Sequence, residues 1–159
     1  DMGRASGASV VEMKRANEKS TTLDADLDLI WQVMDRCIER GLESHGTLPG
    51  GLKVKRRAAD VMQKLKAEQG GNALQPHRIM DYLSVYAMAV NEENAGGGKI
   101  VTAPTNGAAG VVPAVMRYYL DHCINADRKG IRTFLLAAAA NTKTAATRKR
   151  QRPNQKCSQ

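Results

Sequence analysis

Residues 91–117 read NEENAGGGKIVTAPTNGAAGVVPAVMR. A polar helix end runs into three consecutive glycines, and a short extended piece follows at residues 99–102. A Pro-Thr-Asn-Gly turn then gives way to a second apolar helix. The flanking periodicities are both helical: Ile79, Tyr82, Leu83, Tyr86, Ala87 and Val90 before, and Val111, Val112, Val115, Met116, Tyr119, Leu120 and Cys123 after. A glycine-rich loop between two helices is neither a dinucleotide fingerprint, which needs a preceding strand, nor a P-loop, which needs a following Gly-Lys-Ser/Thr. The stretch therefore points to an all-α fold with one glycine-rich loop between helices.

The same residues suit an anion. An Asn-Gly pair supplies positive φ, and a helix starting just after it offers unpaired first-turn N–H groups at the positive end of the macrodipole. Thr102 and Thr105 add hydroxyls and Asn106 an amide. Ala108, Ala109 and Gly110 leave the approach open, and Lys99 offers a full charge. Small residues serve a close helix–helix crossing equally well, so both readings stand at this level. Pro113 fits either the first turn of the helix or a kink within it.

Outward from this stretch the helical pattern continues. Thr21, with Asp24 three residues on, reads as an N-cap. Leu27, Ile30, Trp31, Met34, Cys37 and Ile38 form an amphipathic stripe, with Gly41 as the expected stop. Residues 45–54 read as a Pro/Gly loop, and Lys53, Lys55, Arg56 and Arg57 as solvated surface charge. Ala58, Val61, Met62 and Leu65 mark a weaker helix ending near Gly70 and Gly71, and Pro76 suits the first turn of the next one. Residues 131–140 are apolar almost all round and should be buried. Three domains of behaviour follow: a weakly ordered segment 1–20 containing a short helix, a helical body 21–140, and a basic tail 141–159.

The chain has 159 residues and a formal charge of +8, with 4% aromatics. Six basic residues (Lys143, Arg148, Lys149, Arg150, Arg152, Lys156) and no acid lie in residues 141–159, so the rest carries only +2. Lacking apolar periodicity, that tail is expected to be disordered. Its charge permits non-specific polyanion binding, but a near-neutral body without a stacking platform argues against specific nucleic-acid recognition. No run of eighteen apolar residues suggests a membrane span. Cys37, Cys123 and Cys157 lie in no metal-ligand spacing and are expected as reduced thiols of a cytoplasmic protein. Cys123 falls on an apolar face, where a small core residue is the default. His45, His77 and His122 are scattered. Glu92 and Glu93 are either a general base near the loop or solvated helix-end carboxylates.

Two segments resemble a known family. Residues 87–119 (AMAVNEENAGGGKIVTAPTNGAAGVVPAVMRYY) closely resemble the core of the α domain of bacterial iron–sulfur L-serine dehydratases. Residues 27–59 (LDLIWQVMDRCIERGLESHGTLPGGLKVKRRAA) are similar to that domain's opening helix and loop. The likeness runs from about Val10 to Ala140. It implies an all-helical domain that deaminates L-serine to pyruvate and ammonia, using a [4Fe-4S] cluster held by three cysteines with one iron open as Lewis acid. It also implies a substrate-carboxylate cradle at Thr105, Asn106 and Gly107, flanked by Thr102 and Ala108. The family's cluster cysteines lie in Gly-Cys-Gln-Gly and Thr-Cys-Asp-Pro segments, and neither occurs here. No metal ligand is therefore assigned. The family's β domain, present as a domain or separate subunit, has no counterpart, and the tail resembles nothing in the family. The expectation is a truncated α domain, inactive alone, with the tail arising from a frame shift or misjoined gene end.

Overall fold

The described residues form six helices: α1 (Val10–Asn17), α2 (Leu23–Glu43), α3 (Ala58–Ala67), α4 (Arg78–Ala95), α5 (Asn106–His122) and α6 (Arg128–Arg150). The structure, a computed structural model, describes residues 7–18, 21–68, 78–103 and 105–150, with side chains as far as residue 140. Among the described residues there is no strand; Thr47 and Lys55 form one isolated antiparallel bridge. The fold is all-α, as the periodicities require. No described helix is long and apolar enough to cross a membrane.

Two units are distinguished by their internal packing. One consists of residues 28–127; the other combines the segments Asp1–Leu27 and Arg128–Gln159. In the larger unit, α4 packs on α3 and α5 around Cys37, Ile38, Ala58, Met62, Leu65, Tyr82, Val85, Tyr86, Ala89, Val90 and Ala114. This is the core that the low aromatic content dictates, with aliphatic and small residues filling helix–helix layers and two tyrosines supplying bulk. Val85 and Ala89, four residues apart on α4, are fully buried, consistent with one helical face turned inward.

Gly41 does not stop α2, which continues to Glu43. Its role is a close crossing: a β-carbon there would lie 2.3 Å from the carbonyl oxygen of Ala89. Glycine at the C-terminal side of an apolar stripe is ambiguous between a cap and a contact, and here the contact wins. At the other end, α2 begins at Leu23, one position later than a Thr21 cap would set it. The Thr22 hydroxyl bonds the Asp26 carboxylate at 2.9 Å.

In the smaller unit, α1 packs on α6. Ser9 and Glu12 make a reciprocal capping box at the start of α1. Asp24 receives Arg15 at 2.8 Å and Arg132 at 3.1 Å. Ile131, Leu135 and Leu136 are buried as expected, although Phe134 is partly exposed. The break at Ala140 is not where the helix ends, since the backbone is helical through Arg150. Alanine, lysine and arginine are strong helix formers, so a nucleated helix propagates into a segment without apolar periodicity. Residues 151–159, Gly70, Gly71, Pro76 and His77 lie outside the described residues.

Candidate functional site

The glycine triple ends α4 at Ala95, and each glycine has its own reason. Gly97 has φ +78°, the left-handed region that closes a helix. A β-carbon on Gly96 would fall 2.5 Å from Arg56 Nη2, and one on Gly98 2.6 Å from Glu93 Oε2. The loop is thus wrapped tightly over an ion cluster. Arg56 Nη1 donates to Glu93 Oε1 at 2.9 Å, and Arg40 Nε donates to Glu93 Oε2 at 3.2 Å. Arg40 also holds the loop directly, donating from Nη2 to the Lys99 carbonyl at 2.8 Å.

Glu92 and Glu93 are therefore neither solvated nor free to act as a base. Both are buried, each 6% exposed. Glu92 accepts the backbone N–H of Arg57 at 2.8 Å and that of Ala58 at 3.3 Å. Those are the first N–H groups of α3, whose own N-cap residue, Arg57, makes no side-chain cap. Glu92 is a helix cap delivered from another helix, placing negative charge where the α3 dipole is positive. Sequence reading missed this because the donors lie 34 and 35 residues away. The one available signal was two adjacent carboxylates at the end of an otherwise apolar helix. Arg56, read as surface charge, is likewise largely buried in its pair with Glu93.

The five expected binding residues occupy the start of α5 and the strand-free segment before it. Thr105 is the N-cap, with Oγ1 accepting the Ala108 N–H at 3.1 Å. Asn106 and Gly107 are the first two helical residues, and neither has positive φ. The expected Asn-Gly turn is instead a helix start, because the threonine cap fixes the entry and leaves no turn to make. Thr102 is exposed in the irregular segment 98–103, and Pro104 lies outside the described residues. The structure brings Thr105, Asn106, Gly107 and Ala108 together at one helix N-terminus and leaves Thr102 three residues upstream of the cap. Among the described residues, the N–H groups of Asn106 and Gly107 meet no acceptor.

Gly107 and Gly110 differ in kind. A β-carbon on Gly110 would sit 3.0 Å from Asn91 Oδ1 and 3.2 Å from the Ala87 carbonyl, so Gly110 is the α4–α5 crossing point. Among the described residues, a β-carbon on Gly107 would meet only Thr105 Oγ1, at 4.0 Å. Neither packing nor backbone conformation calls for glycine at 107. Both readings of the small-residue run hold, at different residues: crossing at Gly110, open space at Gly107. Pro113 lies inside α5 and is buried.

A second polar cluster lies at the far end of α5. Tyr86 donates to Asp121 Oδ2 at 2.8 Å, and Arg117 bonds Asp121 and Asp35 at 2.8 and 2.6 Å. Burial, reinforced by the Asp121 carboxylate, pushes the Tyr86 phenol well above its ordinary pKa. Burial opposes the charge on Arg117, but its bonds to Asp121 and Asp35 outweigh that and hold it firmly protonated. His122 stacks on Tyr118 at a ring separation of 4.7 Å and meets Tyr82 tilted at 4.5 Å. His45 Nδ1 lies 2.9 Å from the Glu43 carbonyl.

The two described cysteines do not assemble. Cys37 is buried in the core, where desolvation raises its thiol pKa against the pull of Arg40. Cys123 is exposed as the C-cap of α5, not a core residue as its periodicity suggested; the helix ends one position too early to turn it inward. Cys157 lies outside the described residues. No three His, Cys, Asp or Glu side chains among the described residues could share a metal ion. With Cys37 in the core and Cys123 at the opposite end of α5 from Thr105, the described residues do not fit a [4Fe-4S] cluster.

The profile of the serine dehydratase alpha chain family matches residues 5–150. The chain belongs to that family. It is similar to the L-serine dehydratase of Streptomyces coelicolor, 48% identical over 140 residues that cover 88% of this chain and 30% of that protein. It is similar also to the L-serine dehydratase of Haemophilus influenzae, 41% identical over 138 residues, 87% of this chain and 30% of that one. Against L-serine dehydratase 1 of Escherichia coli the identity is 46% over 112 residues, 70% and 24% of the two chains. The chain thus spans 30% or less of the length of these relatives.

Proposed function

We propose that this chain is part of an L-serine ammonia-lyase and supplies its substrate-carboxylate cradle. The reaction removes water from L-serine to give 2-aminoacrylate, which hydrolyses to pyruvate and ammonia. In this reading the N–H groups of Asn106 and Gly107 and the hydroxyl proton of Thr105 receive the carboxylate, with Thr102 and Ala108 at its edge. One observation carries the assignment: Gly107 occupies a helical position where glycine costs up to about 1 kcal/mol and returns nothing in packing or φ. Space left open over unpaired N–H groups is what an incoming anion needs.

The cluster chemistry of the family is held by cysteine segments that this chain does not contain, so the chain alone is inactive and acts with the remainder of the enzyme, including a β domain or subunit. Anaerobic treatment with iron and sulfide followed by a pyruvate assay is expected to give no turnover. Titration with L-serine tests the cradle. Gly107→Ala introduces no clash and should leave the thermal midpoint unchanged or higher while weakening L-serine binding about tenfold, because the added methyl crowds an anion approaching the N–H groups although the N–H itself remains. Unaltered binding in that variant would remove the cradle from this position.

A second reading has one observation in its favour: the basic segment is helical through Arg150, which gathers Lys143, Arg148, Lys149 and Arg150 on one element. Such a helix would bind polyanions non-specifically. Removing residues 141–159 should abolish any salt-sensitive DNA binding.

A further inference from the structure

A cavity of about 470 Å³ lies between α4 and the loop that joins α2 to α3. None of Thr102, Thr105, Asn106, Gly107 or Ala108 lines it. Its loop wall carries Lys55 and Arg57, and its α4 wall carries Ser84 and Asn91. Its apolar lining includes Val54 from the loop and Met88 from α4. The loop is held in shape by backbone bonds from Leu48 N–H to the Val54 carbonyl and from Arg56 N–H to the Gly46 carbonyl, at 2.7 and 2.9 Å.

Among the described residues neither Lys55 nor Arg57 has an acidic partner, whereas Arg56 between them is committed to Glu93. Two like charges on one wall repel unless an anion sits between them. The carboxylate in reach, Glu92, is occupied by two backbone N–H groups of α3, one of them belonging to Arg57 itself. Glu92 therefore fixes the backbone that presents the Arg57 guanidinium without neutralising it, and the two cations exceed the single negative charge on the cavity wall.

We propose that this cavity binds a short-chain organic carboxylate. Lys55 and Arg57 take the carboxylate, Ser84 and Asn91 offer polar contacts along the α4 wall, and Val54 and Met88 cover the alkyl portion. Arg57 suits a carboxylate because its planar fork matches two oxygens. The proposal does not depend on the reading given for the α5 N-terminus, none of whose five binding residues lines the cavity.

Calorimetric titration of the full chain at low ionic strength with acetate, butyrate and inorganic phosphate tests this. Butyrate should bind about tenfold more tightly than acetate, because two further methylenes are covered. It should also bind more tightly than phosphate. Arg57→Gln and Lys55→Gln should each weaken butyrate about tenfold, and Thr105→Ala should leave it unchanged. Arg57→Gln keeps the backbone N–H that Glu92 accepts; if it fails to fold, Lys55→Gln carries the same test alone. The proposal is overturned by absence of saturable butyrate binding, by wild-type affinity in the Gln variants, by loss in Thr105→Ala, or by phosphate binding as tightly as butyrate.

Discussion

Gly41 of α2 and Ala89 of α4 meet backbone to backbone: a β-carbon on Gly41 would lie 2.3 Å from the Ala89 oxygen and 2.7 Å from its carbonyl carbon. No side-chain rotation relieves such a contact, so the helices must separate. Gly41→Ala is expected to lose about 3 kcal/mol, well beyond the roughly 1 kcal/mol that alanine gains in helix propensity. Urea unfolding measures it, and a neutral or stabilising result would mean that the helices do not cross there.

Glu92 should behave as a cap and not as a base. Glu92→Ala leaves the Arg57 and Ala58 N–H groups without an acceptor and should cost about 2–3 kcal/mol, with Glu92→Gln costing about half as much because one oxygen remains. Denaturant midpoints of the two variants give the comparison. Equal losses would show that the charge, not the acceptor, is what α3 requires.

Tyr86 makes stability fall at alkaline pH. Its folded pKa is raised by burial and by the Asp121 carboxylate, so the folded state keeps a proton that the unfolded chain releases near the ordinary tyrosine pKa of about 10. The contribution is complete below that pH and is lost as pH rises from there towards the folded value. Tyr86→Phe should flatten the stability profile above about pH 10. A profile identical to wild type would place the alkaline transition elsewhere.

The thiols should react in a fixed order. In a Cys157→Ser background, Cys123 is exposed and alkylates first, whereas Cys37 is buried with its pKa raised and reacts only as the core opens. Peptide mapping over a time course reads the order. Early modification of Cys37 would contradict its packing among Ile38, Val85 and Tyr86.

Local pattern made the helices legible and left their contacts hidden. Of the stripe, Leu27, Trp31, Met34, Cys37 and Ile38 are buried as their period demands, because burial of one face is a property of the helix itself, whereas Ile30 at its edge is exposed. Gly41 could not be read correctly, since whether a glycine caps or crosses depends on Ala89, a residue on another element. Glu92 and Glu93 failed for the same reason: their partners Arg40, Arg56, Arg57 and Ala58 come from 34 to 53 residues away. At the α5 start, the residue types suggested a turn geometry that the helix does not adopt. Asn106 and Gly107 suggested a left-handed turn, and a threonine cap supplied the exposed N–H groups instead.

Capping α3 from Glu92 imposes an order on how the chain is made. A ten-residue helix is too short to hold itself in water, and its cap is synthesised only after 24 more residues have followed Glu68. On the ribosome, α3 must wait until the end of α4 has emerged and returned to it, closing a loop whose entropic cost grows slowly with length. The two helices then become one folding event. A nascent chain halted between them would hold an α3 that has no start.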